Sequence, residues 1–166
     1  MKSLLLVRHA KSSWADAGLS DFDRPLNERG KKDAPVMAQR LINKQIQIDG
    51  FITSTAVRAR ETCTYFVNAF KKTGGSLILK QELYLASPET FYKCISEIDD
   101  VFSSVAVFAH NSGIAEFANS LTHTKVDDMP TCSIFAIKMQ ENSWKNFANA
   151  EKEFWFFDFP KSIIGF

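Results

Sequence analysis

The sequence predicts a three-layer α/β/α sandwich built on a mostly parallel central sheet with an antiparallel edge strand. Three observations lead there. Short apolar runs alternate with amphipathic stretches along the chain, which is the pattern of strand–helix units. Residues 104–109 are apolar almost without interruption and suit a strand covered on both faces, as parallel strands are. Two late apolar segments, 131–139 and 153–159, follow one another with no helical pattern between them. At least one pairing at the edge of the sheet is therefore antiparallel.

Each element has its own signal. Residues 3–7 are a short apolar run ending in Arg8-His9, a buried strand. Residues 10–26 are polar and irregular, with Gly18, Asp21, Asp23 and Pro25, and read as a loop. Asn27 can cap the next helix, with Glu28 favourable in its first turn. Ala34, Met37, Ala38, Leu41 and Ile42 then fall on one helical face. Pro35 lies inside that pattern, so either the helix kinks there or its regular part begins near Pro35. Residues 50–53 are a second strand. Ser54 and Thr55 can cap the helix that follows, packed through Val57, Thr62, Tyr65, Phe66 and Phe70. Gly74-Gly75 ends that element, and 76–80 reads as a third strand. Ser87-Pro88-Glu89 is a helix start with Pro at the first helical position, followed by the face Phe91, Cys94, Ile95 and Ile98. The strand 104–109 ends at His110. Asn111-Ser112-Gly113 turns into a helix carrying Ile114, Phe117, Ala118 and Leu121. The strands 131–139 and 153–159 complete the sheet, and Pro160 closes the last one.

A length of 166 residues predicts one domain over 1–166. Lys and Arg number 20 against 19 Asp and Glu, and the two signs are interspersed. Nucleic-acid binders usually carry a clear basic excess, so no nucleic-acid partner is expected. No run approaches the ~20 apolar residues of a spanning helix, and charge returns at Arg8, so neither a membrane span nor a signal-peptide core is expected. The expected location is cytoplasmic. Cys63, Cys94 and Cys132 are odd in number and widely spaced, which reads as buried reduced thiols and not as a disulfide or metal framework.

In open α/β sheets, ligands bind beyond the carboxyl ends of the strands. Arg8 and His9 stand after the first strand, Ser54 and Arg58 after the second, and His110 after the 104–109 strand. Two imidazoles and two guanidiniums suit phosphoryl transfer. Neutral imidazole is a nucleophile that forms a covalent intermediate, and the planar arginine fork donates bidentately to phosphate without ever deprotonating.

The motifs carry a resemblance. Leu5-Leu6-Val7-Arg8-His9-Ala10 resembles the strand-plus-RHG signature of the histidine phosphatase, or phosphoglycerate mutase-like, superfamily. Ser12-Ser13-Trp14 is similar to the S-x-W that often follows it. The segment 24–30, RPLNERG, resembles the RPLTERG of the small SixA-type branch. The segment 54–62 is similar to the family's S-x-x-x-R-A-x-x-T, and Ala109-His110-Asn111-Ser112-Gly113 to its G-H-N-P-G.

The resemblance implies a phosphoglycerate mutase-like fold and a catalytic set of His9, Arg8, Arg58 and His110. His9 would be the phosphorylated nucleophile. Arg8, Arg58 and His110 would hold the phosphoryl oxygens, and Arg24 would be a further phosphate or substrate contact. Asn111 and Gly113 would shape the loop behind His110. No cofactor and no metal are implied.

The chain departs from the pattern at Ala10, Ala109 and Ser112. If position 10 needed a positive φ, Ala there would cost roughly 1 kcal/mol or somewhat more. It also lacks an obvious acid just beyond the third strand, where it reads QELYLA over 81–86. Glu82 is close by but out of register, and a first-loop Asp is the other candidate. A phosphohistidine leaving group is less basic than an alkoxide and needs less help from an acid.

The expected function is hydrolysis of phosphohistidine on a signalling phosphotransfer protein. A small-molecule phosphomonoesterase with the same core is the alternative, and a phospho-ligand-binding protein with little turnover is the second. At this length no large cap insertion is expected over the pocket. Several residues have plainer readings. His123, Arg29 and Arg60 belong on the surface. Asp16, Asp21 and Asp23 serve loop solubility or a contact to Arg24. Trp14 either lines the pocket mouth or packs locally. The aromatics of 154–159 face the core, with a partner patch as the competing reading.

Overall fold

In the computed structural model, residues 1–71 and 77–162 are described. The chain runs β1 (Lys2–Arg8), α1 (Glu28–Asn43), β2 (Gly50–Thr53), α2 (Val57–Ala69), β3 (Leu77–Leu79), α3 (Pro88–Ser96), β4 (Ser104–Ala109), α4 (Gly113–Leu121), β5 (Ile134–Met139) and β6 (Lys152–Asp158). Short 3-10 turns lie at Asp21–Asp23, Gln81–Leu83 and Trp144–Asn146.

One sheet has the order β3-β2-β4-β1-β5-β6. The first four strands pair in parallel, β5 is antiparallel to β1, and the edge strand β6 is antiparallel to β5. Strand alternation sends side chains to two separate cores. Leu4, Leu6, Val105, Val107, Phe135 and Ile137 pack on the side of α3 and α4. Leu5, Val7, Ala106, Phe108, Ile134 and Ala136 pack on the side of α1 and α2. Both faces of β1 and β4 are thus apolar and covered, which is why these strands read as continuous apolar runs.

The phenylalanines fill both layers. Phe51, Phe66 and Phe108 are fully buried on one side, and Phe91, Phe117, Phe135 and Phe147 on the other. Each stabilises the fold by roughly 1.5–3 kcal/mol relative to exposure. On β6, Phe156 is buried while Phe154, Trp155 and Phe157 pack half-buried against the two cores, in line with the core-facing reading. Buried Asp158 ties this edge to α1 through Arg40, 3.2 Å away.

Several local expectations are refined. Asn27 caps α1, its side chain accepting from Gly30 N at 2.9 Å. The helix runs unbroken from Glu28 through Pro35 to Asn43, so its regular part does not begin at the proline. The carbonyl that Pro35 leaves without a partner belongs to Lys31, an exposed residue that water reaches. Neither Ser54 nor Thr55 caps α2: Ala56 is its N-cap, with no side-chain bond. Ser54 instead accepts from Ala56 N and meets His110. Ser87 precedes Pro88 as foreseen but makes no cap bond to the backbone.

Strand β5 begins at Ile134, later than residue 131. Residues before it turn back on β1, with Cys132 at φ 61° and its N–H shared between the Arg8 and His9 carbonyls. Strand β3 keeps Leu77–Leu79; the Gly74-Gly75 terminator and Ser76 lie outside the described residues. Cys63, Cys94 and Cys132 are buried and free.

Candidate active site

The sheet brings the motifs together. β1 and β4 are parallel neighbours with Arg8 opposite Ala109, so the next residues, His9 and His110, leave the sheet side by side. Their ring centroids are 5.2 Å apart. β2 lies on the other side of β4, and Ser54 N donates to Phe108 O at 3.0 Å. Arg58, in the first turn of α2, is thereby placed over the same strand ends.

His9 is buried, and its Nδ1 lies 2.7 Å from the Ala10 carbonyl. A carbonyl only accepts, so Nδ1 carries the hydrogen and Nε2 keeps its lone pair. Arg58 Nε donates towards that Nε2 at 3.3 Å. Burial pushes the His9 pKa down to about 3, with neighbouring His110, Arg58 and Arg8 acting in the same direction against the Ala10 bond. His110 is likewise pushed down to about 3, by burial first and then by Arg58. Its Nε2 is 2.8 Å from Ser54 Oγ, and its Nδ1 is buried with no hydrogen-bond partner among the described residues. Both rings are therefore neutral at physiological pH.

Thr62 couples the loop after His9 to the helix. Its Oγ1 accepts from Ala10 N at 3.0 Å and donates to Arg58 O at 2.7 Å. Ala10 is not among the described residues with positive φ, so its replacement of the family's glycine carries no backbone strain. Arg8 sends Nη1 to Met129 O at 2.9 Å, while its Nε is buried without a partner among the described residues.

Asp21 is the hub on the opposite side. Arg58 donates to the Asp21 carbonyl at 2.5 Å and to its carboxylate at 2.9 Å. Arg24 reaches the same carboxylate at 2.8 Å, and the Tyr84 hydroxyl at 2.5 Å. The Tyr84 hydroxyl, joined by Arg58 and Arg24, holds the Asp21 carboxyl well below the usual carboxylate range. Arg24 is buried and also donates to Ser13 O at 3.0 Å and to Ser12 Oγ. Three of its five N–H groups thus serve the loop. The contact foreseen between a loop Asp and Arg24 is that of Asp21.

Arg8, His9, Arg24, Arg58 and His110 all line one cleft of about 390 Å³, with Lys11, Ser12, Trp14, Asp21, Leu85, Asn111 and Thr131. Glu82 is exposed and does not line it. Asp21 is the one carboxylate among the described lining residues. His123 is exposed, as expected. Among the described residues no group of three or more His, Cys, Asp or Glu is placed to hold a metal.

Two glycines of the motifs are needed for close approach. A Cβ on Gly30 would lie 2.2 Å from the Lys11 carbonyl, and one on Gly113 1.7 Å from the Ala86 carbonyl. The first lets α1 abut the loop after His9, the second seats the start of α4 behind His110. Tyr84 escaped the sequence reading. It sits two residues past Glu82, and it orders Asp21 through its hydroxyl while its ring stands nearly perpendicular to that of His110, the centroids 5.4 Å apart.

The arrangement pairs an uncharged nucleophilic nitrogen with guanidinium donors, which is what attack on a phosphoryl group requires. Residues 4–83 match the model of the histidine phosphatase superfamily (branch 1). An uncharacterised chloroplastic protein of Arabidopsis thaliana is 30% identical over 152 residues, covering 87% of this chain and 69% of that protein. The fold is similar to SixA from Agrobacterium tumefaciens, with TM-score 0.80, 24% identity, and 96% and 98% of the two chains covered. It is similar to the protein histidine phosphatase SixA complexed with tungstate, with TM-score 0.78, 19% identity and 95% and 97% covered. It is also similar to a mycobacterial glucosyl-3-phosphoglycerate phosphatase, with TM-score 0.72, 12% identity and 93% and 97% covered.

Proposed function

We propose that this chain, which belongs to the histidine phosphatase superfamily, hydrolyses phosphohistidine on a protein through a covalent phospho-His9 intermediate. The observation that carries the reading is the His9 tautomer: Nδ1–H is held by the Ala10 carbonyl, and Nε2 is unprotonated, its lone pair turned to the Arg58 N–H.

In the first step Nε2 attacks phosphorus and the bond from phosphorus to the substrate's imidazole nitrogen breaks. A substrate ring already protonated on its other nitrogen leaves as neutral imidazole, so no acid is needed at the bond that breaks. The His9 ring then carries a positive charge, which the Ala10 carbonyl stabilises through Nδ1–H. Arg8, Arg58 and His110 hold the phosphoryl oxygens as charge redistributes, and Arg24 has two N–H groups left to join them. In the second step water attacks phosphorus, the bond to Nε2 breaks, His9 returns to neutral imidazole, and both of the water's protons leave with the inorganic phosphate. Charge stabilisation by arginines makes this route independent of a metal.

Two features favour a protein substrate. Asp21 is tied up as an ionised partner of two arginines, so no carboxylate among the described lining residues is ready to protonate an alkoxide. The mouth carries exposed Trp14 and Leu85. Read as one domain over 1–166 without a large cap, the chain leaves that mouth open to a histidine on another protein's surface. We place this partner among phosphotransfer proteins of a cytoplasmic signalling relay. No described helix is long and apolar enough to cross a membrane.

A small phosphoester is the second reading, supported by the name of the mycobacterial structural neighbour. Rates measured side by side on a phosphohistidine protein, a sugar phosphate and a nucleotide separate the two. The phosphohistidine reading expects the first to be fastest, and a faster sugar phosphate overturns it.

A further inference from the structure

Trp14 is the most exposed large apolar residue described, at 74%. It nevertheless has a fixed position. The Arg24 guanidinium lies 3.3 Å from the centre of its ring. That guanidinium is itself pinned along its edges by Ser13 O, Ser12 Oγ and Asp21. An indole stacked on a pinned plate cannot collapse onto the surface, and with one face on Arg24 its exposure is that of the other face. Trp14 lines the same cleft as His9 and Arg58. Among the described residues this apolar ring, kept in water at the rim of a cationic well, belongs to neither core cluster.

From this geometry we propose that Trp14 is a specificity residue: its open face stacks on a planar leaving group, the imidazole of phosphohistidine, while the phosphoryl group sits between Arg8, His9 and Arg58. This rests on the phosphohistidine reading for the identity of the ring. Stacking serves a flat heteroaromatic and does little for a small aliphatic group, so it separates ligands that share the same phosphoryl or phosphonyl group. A protonated imidazole would gain further from the negative face of the indole.

The test uses ligands that need no turnover. Phenylphosphonate and methylphosphonate are titrated calorimetrically into the full chain, as wild type, Trp14→Ala and Trp14→Phe. Wild type is expected to bind phenylphosphonate more tightly. Trp14→Ala should weaken it about 3- to 10-fold while moving methylphosphonate by less than about twofold, and Trp14→Phe should recover most of the loss. An equal loss for both ligands overturns the proposal, since Trp14 would then act only by supporting Arg24. So does no loss for either.

Hydrolysis of N-phosphorylimidazole and of phosphoramidate gives the second readout, because both contain a P–N bond and only one carries a ring. Trp14→Ala should lower kcat/KM for the ring compound alone. If the wild type cleaves neither, while the phosphonate discrimination persists, the phosphohistidine reading falls and the stacking platform stands.

Discussion

Arg58 Nε points its hydrogen at His9 Nε2 from 3.3 Å. The guanidinium thus marks the atom that attacks phosphorus in the proposed reaction and disfavours a proton on it. On binding, the same N–H is placed to transfer from the nitrogen lone pair to a phosphoryl oxygen.

Arg58→Ala therefore removes both the donor to the oxygens and the charge beside the nucleophile. We expect kcat/KM to fall by about 10²- to 10³-fold, the loss typical for one donor of this kind. Arg58→Lys should recover only a small part, because an ammonium keeps the charge without the fork. Steady-state kinetics on a phosphohistidine protein checks this. A loss confined to KM would show that Arg58 binds the ground state and the transition state equally.

Burial of two neutral imidazoles makes stability pH-dependent. The unfolded rings titrate near 6.5, the folded ones at about 3. Between those values the unfolded chain binds protons that the folded chain does not, so stability falls as pH drops through this window and is fully retained above it. Denaturant midpoints from pH 7.5 down to about pH 4 should decline, with His110→Asn flattening the decline. A flat wild-type profile would show that neither ring is buried neutral.

The Asp21 carboxylate occupies the donors of Arg58 and Arg24 that an incoming oxyanion would use. Asp21→Asn removes that internal competitor. Near a protein surface a charge at this range is worth on the order of 1 kcal/mol or more. Vanadate and phosphate are expected to bind about 3- to 10-fold more tightly to the variant in calorimetry. Weaker binding would show that Asp21 chiefly holds Arg58 in place.

Gly113 sits where a Cβ would lie 1.7 Å from the Ala86 carbonyl. Gly113→Ala must push α4 away from that backbone. Overpacking of this kind costs about 1–3 kcal/mol, read as a lowered denaturation midpoint. Activity should fall with it, because the displaced turn is the one that follows His110.

Much of this was legible in the chain itself. The strand ends of β1, β2 and β4 announce themselves by apolar runs stopping at Arg8-His9, Ser54 and His110, and the parallel pairing brings those ends together. The α4 face of Ile114, Phe117, Ala118 and Leu121 is buried as its spacing requires. What stayed hidden depends on contacts between distant residues. Ser54 reads as a helix cap because local capping is what a serine after a strand usually does, whereas its hydroxyl is drawn to His110, 56 positions away. Tyr84 carries no motif, and its link to Asp21 spans 63 positions. The start of β5 moved because the turn at Cys132 hydrogen-bonds to the end of β1 at Arg8 and His9, and nothing in the alternation of 131–139 encodes that.

The covalent intermediate is the claim on which the rest depends, and it can be seen directly. The chain is mixed with a phosphohistidine protein or phosphoramidate, quenched in base within one turnover, and its peptides are mass-mapped. The structure leads us to expect one phosphoryl group on the peptide bearing His9, stable in base, lost in acid and absent from His9→Ala, which should not turn over. Full hydrolysis by His9→Ala, or a label on any residue other than His9, would contradict it.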